Sequence, residues 1–167
     1  MELIADGNFS SVYRFGDKAL KITEDEDTMA FYEEVEKLWV PGLPQVKKVG
    51  DGYIMPLYSK AILPPAKEKA WKKLSDQLYD RLLEESRSNE GPFFEMTEMD
   101  LLYHEIQHIK AFFPVNQEAA EKLFYIATQI DKKFPKWRSD LNPYRGRDNI
   151  MWDEENKVVV FTDPFFC

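Results

Sequence analysis

Cysteine is all but missing from this chain: the one example, Cys167, is the last residue of the sequence. Internal disulfides are therefore excluded, and no chemistry is read into that thiol. Histidine is nearly as scarce, with His104 and His108 the only two. Positive charge is in the minority, because 22 Lys and Arg face 30 Asp and Glu for a net charge of −8. Nucleic-acid binding needs a basic footprint, so no nucleic-acid partner is expected. No apolar run reaches the length of a membrane span. The opening MELIADGNFS has neither the basic start nor the apolar run of a signal peptide. The expectation is a cytoplasmic protein without a membrane partner.

What is present suffices for a sizeable core: 167 residues, 44% hydrophobic and 14% aromatic, enough for one domain or two small lobes sharing an interior. Residues 2–22 read as three short strands, with Gly7-Asn8 and Gly16-Asp17 at the turns. The small residues Gly7, Asn8 and Ser10 around Phe9 would let backbone N–H groups approach an anion, although a plain hairpin turn is the first reading of a single glycine there. Acidic residues 24–27 precede a helix whose N-cap is Asp27 or Thr28 and whose apolar face is Phe31, Val35, Leu38 and Trp39. Pro41-Gly42 and Pro44 stop it. Two more strands, 46–49 and 53–56, complete a five-stranded antiparallel sheet, and Pro64-Pro65 marks a lobe boundary between residues 1–63 and 64–167. The spacing then predicts three helices, over 66–86, 97–113 and 116–133, the second with Thr97 and Asp100 forming a capping box. The last stretch, 139–166, reads as a polar loop and a hairpin with its turn at 153–156.

Three patterns carry chemistry. His104-Glu105-Ile106-Gln107-His108 is an H-E-x-x-H on a predicted helix, which places two imidazoles on one face for zinc with a glutamate as base. A catalytic zinc needs a third protein ligand, and no further histidine exists; Glu118 or Glu121 would have to serve. Lys132, Lys133, Lys136, Arg138, Arg145 and Arg147 form a basic cluster, in which Arg145 and Arg147 suit phosphate contact and the lysines suit a helix C-terminus. Finally, Asp140, Asn149 and Asp163 converge at one end of the hairpin. Two carboxylates and an amide oxygen suit a hard cation such as Mg²⁺, with a phosphate-bearing ligand completing its shell.

Taken together, the two ends of the chain resemble the protein-kinase fold, and most closely the small divergent kinase-like proteins of tailed bacteriophages. Residues 5–12, ADGNFSSV, resemble the glycine-rich loop, with Ala5 and Ser10 in place of its first and third glycines. Lys18-Ala19-Leu20-Lys21 resembles V-A-I-K, which implies that Lys21 holds the nucleotide phosphates and pairs with a helix glutamate, Glu34. Met55-Pro56-Leu57 stands at the hinge against which adenine stacks. The resemblance thus implies a nucleotide site of Gly7, Asn8, Phe9, Ser10, Val12, Ala19, Lys21, Met55 and Leu57. Asp140-Leu141-Asn142-Pro143 resembles D-L-K-P, making Asp140 the base. Asp148-Asn149-Ile150-Met151 resembles E-N-I-L, and Asp163-Pro164 stands at D-F-G, so Asn149 and Asp163 would hold Mg²⁺.

The departures shape the functional expectation. Ser139 replaces the arginine of H-R-D, residues 144–147 are an insertion, and Pro164 replaces phenylalanine. With the usual spacing kept, Tyr144 would fall at the base position, as in a pseudokinase. No A-P-E or activation segment follows Asp163, so a platform for a peptide substrate is not expected. The fold expected is α+β, a minimal kinase-like arrangement of an N-terminal antiparallel sheet with one helix and a helical lobe bearing the catalytic hairpin. Its expected activity is ATP- and Mg²⁺-dependent phosphate transfer to a hydroxyl, in a host cytoplasm if phage-encoded. The alternative is a catalytically dead pseudokinase that binds and inhibits a host protein; a zinc hydrolase at His104 and His108 ranks third.

Overall fold

A computed structural model describes residues 1–166; Cys167 lies outside the described residues. Five strands, β1 (Glu2–Asp6), β2 (Ser10–Phe15), β3 (Lys18–Thr23), β4 (Lys47–Val49) and β5 (Gly52–Pro56), form an antiparallel sheet in the order β1-β2-β3-β5-β4. Gly16, at φ +61°, closes the β2–β3 hairpin as its sequence predicts.

Because opposed residues share a face, the register decides which side chains meet. Val12 pairs with Lys21 and Lys21 with Tyr53, while Ala19 pairs with Met55. Val12, Ala19, Lys21, Tyr53 and Met55 therefore stand on one face. That face is the covered one, with Ala19, Tyr53 and Met55 buried. The opposite face leaves Leu3, Phe15 and Ile22 exposed.

Helix α1 (Glu26–Glu36) buries Phe31, Tyr32 and Val35 against this face. Its N-cap is Asp25, two residues before the expected position and without a side-chain cap bond. It stops at Glu36, so Trp39 falls beyond the helix and is 77% exposed instead of packing with Phe31. Gly42, at φ +101°, lets the following loop tuck in: a Cβ there would come 2.7 Å from the Ala119 Cβ. Its carbonyl accepts from the Phe161 N–H at 3.0 Å.

Three further helices follow: α2 (Pro65–Ser88), α3 (Glu98–Lys110) and α4 (Gln117–Lys133). Pro65 opens α2, where its missing N–H costs nothing. The Thr97–Asp100 capping box forms as expected, and Asn116 caps α4 by accepting from the Ala119 N–H at 3.2 Å. On α2 the buried residues are Trp71, Ser75 and Glu85, whereas Leu74 is 37% exposed. Trp71 stands edge-on to His108, Phe112 and Phe113.

The chain then returns through short strands β7 (Arg138–Ser139) and β10 (Phe165–Phe166), which pair with each other. The hairpin β8 (Ile150–Asp153) and β9 (Val158–Phe161) takes up β6 (Ser59–Lys60) on its edge. One apolar cluster runs from Ala19 and Tyr53 of the sheet through α1 to Ile130 and Phe161. No helix among the described residues is long and apolar enough to cross a membrane.

Candidate functional site

The site forms where the covered face of the sheet meets the 140–163 loops. Two backbone bonds and one from a side chain gather the latter. The Asp140 N–H donates to the Pro164 carbonyl at 2.7 Å, and the Thr162 N–H donates to the Asn149 carbonyl at 3.1 Å. The Asn149 side-chain amide donates to the Asp140 carbonyl, which leaves its own oxygen free to accept or ligate. Asp140, Asn149 and Asp163 are thereby held at one place, as the sequence implied.

Lys21 reaches them from the sheet. Its ammonium lies 3.9 Å from Asp163 Oδ2 and 5.5 Å from the centre of the Tyr32 ring. The expected partner Glu34 is not the one it meets: Glu34 lies a turn and more from the N-terminus of α1 and pairs with Lys37 at 3.8 Å. The α1 acid near Lys21 is instead Asp25, just before the helix, and both Asp25 and Asp27 act on Asp163.

The electrostatics have one sign. Burial raises the Asp163 carboxyl above its ordinary range, Asp27 and Asp25 add to this, and Lys21 and the Thr28 hydroxyl oppose it. Burial likewise raises Asp140, with Asp163 and Asp27 acting the same way and Asn149 opposing. Asp25 is raised by burial and by Asp27, with Lys21 opposing. Asp163 and Asp25 thus share the Lys21 ammonium, with Asp27 and Asp140 adding negative charge beside them, an excess that a cation would relieve. The described residues contain no group of three or more His, Cys, Asp or Glu arranged to hold a metal on their own. Two carboxylates and an amide fit an ion that retains waters and takes phosphate oxygens, as Mg²⁺ does.

Among the other residues expected at a nucleotide site, Val12, Ala19 and Met55 share the Lys21 face. The Gly7 N–H donates to the Ser10 carbonyl at 2.8 Å, closing a hairpin turn. A Cβ on Gly7 would meet nothing closer than Ser10 O at 3.7 Å, so this turn does not demand glycine. Asn8 belongs to the same turn, and Phe9 is 61% exposed. The Ser10 hydroxyl donates to Thr23 at 2.8 Å. At the expected hinge, Leu57 gives its N–H to the Asp17 carbonyl at 3.0 Å and Pro56 has none, so neither residue has a backbone N–H to offer a ligand.

The H-E-x-x-H residues go elsewhere. His104 Nδ1 is 2.7 Å from the Tyr144 hydroxyl, and His108 Nε2 is 3.2 Å from the Ser75 hydroxyl. Burial pushes the His108 imidazole down to about 4, with His104 assisting, and lowers His104 too. Both rings are packing members of an aromatic layer around Trp71, Phe93 and Tyr144. Tyr144 is thus a partner of that layer.

Nor do the loop arginines face Asp163. Arg147 donates to Glu68 at 2.8 Å and to the Ala61 carbonyl at 3.2 Å, and it stacks over Trp71 and Phe113. Arg145 lies over Tyr79. They border a cavity of about 700 Å³ between α2 and the 143–148 loop; a second, of about 300 Å³, lies beside Asp140. Neither includes Lys21 or Asp163 in its wall. The Asp163 side chain is 36% exposed and that of Lys21 14%, so the Lys21–Asp163 site opens to the surface.

Comparison with protein-family models, with curated proteins and with solved structures finds no match.

Proposed function

We propose that this chain is a divergent kinase-like protein that binds Mg²⁺ and ATP at the Lys21–Asp163 cleft and transfers phosphate to a hydroxyl acceptor. The observation that carries the reading is the 3.9 Å approach of Lys21 to Asp163, residues 142 positions apart whose meeting the kinase resemblance requires. Had they stood on opposite sides of the molecule, the resemblance would have had no chemistry behind it.

In this reading Lys21 neutralises phosphate oxygens, and Asn149 and Asp163 hold Mg²⁺. The ion supplies charge stabilisation to the transferring phosphoryl group. Asp140 takes the acceptor's proton as the hydroxyl oxygen bonds to the γ-phosphorus and the bond to the β,γ-bridging oxygen breaks, releasing ADP. The raised Asp140 carboxyl suits proton acceptance better than an ordinary aspartate does. Arg145 and Arg147 take no part, because Arg147 is committed to Glu68 and both stack on aromatic rings.

The test is a thermal-shift titration with Mg²⁺ and ATP, paired with turnover. Parent protein should gain stability only when both are present, since a ligand of the native state must raise its stability. Asp163→Ala should lose that gain and the turnover while keeping its fold. Unchanged turnover in Asp163→Ala would refute the metal assignment.

A second reading has its own support. The cleft is open and the Gly7–Ser10 turn does not demand glycine, as would suit a pseudokinase acting through contact with a protein partner, such as a host factor inhibited by a phage product. No nucleotide-dependent shift, together with capture and inhibition of such a partner, would favour it.

A further inference from the structure

We infer that Glu98 and Glu105 of α3 clamp the loop that carries Asp140, and that Glu105 is the positioning residue that fixes where this carboxylate stands. The clamp rests on geometry; its catalytic consequence rests on the phosphate-transfer reading above.

Residues 98 and 105 are seven apart, two helical turns, and so lie on one face of α3. Glu98 Oε2 accepts from the Ser139 N–H at 3.2 Å, and Glu105 Oε2 accepts from the Asn142 N–H at 2.9 Å. Between them the Asp140 N–H is tied to Pro164, and Leu141 is buried at 2% exposure. Each residue from 139 to 142 is therefore fastened by its backbone or by its side chain. Regular structure reaches only Ser139, which β7 pairs with Phe165, so residues 140–142 depend on these other ties. A loop bearing a base needs such support, because displacement of a reacting group by about 1 Å can cost roughly a hundredfold in rate.

Glu105 is also an expensive residue to keep. It is only 2% exposed, and an apolar residue would fill the same space without desolvating a carboxyl. The hydrogen bond it accepts goes to the loop beside Asp140, and its other oxygen, like the nearby Ser139 hydroxyl, is buried without a partner at hydrogen-bond geometry. Burial holds this carboxyl well above its ordinary range, up to about 8, against the influence of Ser139 and Asn142. Such a group earns retention through the loop it holds.

Three variants of the full chain test this, with amide hydrogen exchange and Mg²⁺–ATP turnover as readouts. In Glu105→Ala, exchange at Ser139 and Asn142 should rise about tenfold or more while the amides of β9 stay protected. Its kcat should fall about tenfold to a hundredfold with KM for Mg²⁺–ATP held within about twofold, since Lys21, Asn149 and Asp163 are untouched. Glu105→Gln, which keeps an acceptor oxygen, should restore both. Unchanged exchange at Asn142 in Glu105→Ala overturns the clamp; raised exchange with unchanged kcat overturns the positioning role. Should Glu105→Ala not fold, Glu98→Ala, at the less buried end, gives the same two readouts with Ser139 as reporter. A parent protein without turnover defeats the phosphate-transfer reading, and the positioning role with it, while exchange still decides the clamp.

Discussion

The aromatic layer around His104 and His108 and the cleft around Lys21 and Asp163 make an instructive pair. The first holds the sharpest short motif in the chain, five contiguous residues with the spacing of a zinc site. Folding turns it into packing: each imidazole meets a hydroxyl and an aromatic ring, and burial disfavours the charged form of both. The second is built of single residues from distant segments, none persuasive alone. Folding brings those together. A contiguous motif on a helix fixes only which side chains share a face. Whether that face looks into a cleft or into a core depends on what packs over it, and here α2 and Tyr144 cover it.

The widest separation between the two regions should appear in nucleotide response. Lys21→Met should abolish Mg²⁺–ATP stabilisation and lower turnover by about a hundredfold or more, as removal of a fixed charge at developing anionic oxygens does. His104→Phe should leave both within about twofold. Loss of turnover in His104→Phe with Lys21→Met still active would reverse the comparison and return attention to α3.

Stability should show the opposite ranking. Trp71→Ala removes the ring against which His108, Phe112, Phe113 and Arg147 all pack, and should cost about 3–5 kcal/mol in chemical denaturation. A loss below about 1 kcal/mol would mean that the layer is loosely packed.

The pH dependence sharpens the contrast further. Glu105 has a folded pKa of about 8 against an ordinary 4.5. Between those values the native chain keeps a proton that the unfolded chain releases, so stability falls as pH rises through this window. His108 has a folded pKa of about 4 against 6.5, so its contribution is lost as pH falls from 6.5 toward 4. The two oppose each other below 6.5, and above it Glu105 acts without His108. Denaturation midpoints measured from pH 6.5 to 8 should therefore decline in the parent and flatten in Glu105→Gln. An equal decline in both would place the titrating group elsewhere.

The smallest effect concerns the arginines. Arg147→Met keeps much of the stacking on Trp71 and Phe113 but loses the bonds to Glu68 and Ala61, which should cost about 1–2 kcal/mol. Mg²⁺–ATP stabilisation should not change. A lost nucleotide response would restore Arg147 to the cleft.

Much of this architecture is legible in the residues themselves. Gly16 at a hairpin turn, Thr97 and Asp100 at a helix start, and the prolines around residues 41–44 act within a few positions along the chain, where sterics and backbone hydrogen bonding decide the outcome. The shared face of Val12, Ala19, Lys21 and Met55 follows once the strands pair in register. The meeting of Asn149 and Asp163 was also readable, because a short hairpin leaves its ends no other place; Asp140 joins them through its N–H to Pro164 and its carbonyl to the Asn149 amide. Partner choice was not. Glu34 carries the right charge for Lys21, yet lies too far along α1 to meet it, whereas Asp25 and Asp27 look in sequence like ordinary helix-start acids. Trp39 reads as core until the helix ends three residues before it. Glu105 reads as half of a zinc motif, and only the packing of α3 beneath residues 139–142 shows what it holds.

The sequence alone determined the main strands and helices, the cap of α3 and the face of the sheet on which a lysine and three apolar residues stand, because those depend on interactions between near neighbours. The tertiary structure alone decided which charges meet, which histidines are buried and which glutamates grip a loop. Those outcomes depend on distance through space and on the removal of water, and neither is written in the order of residues along the chain.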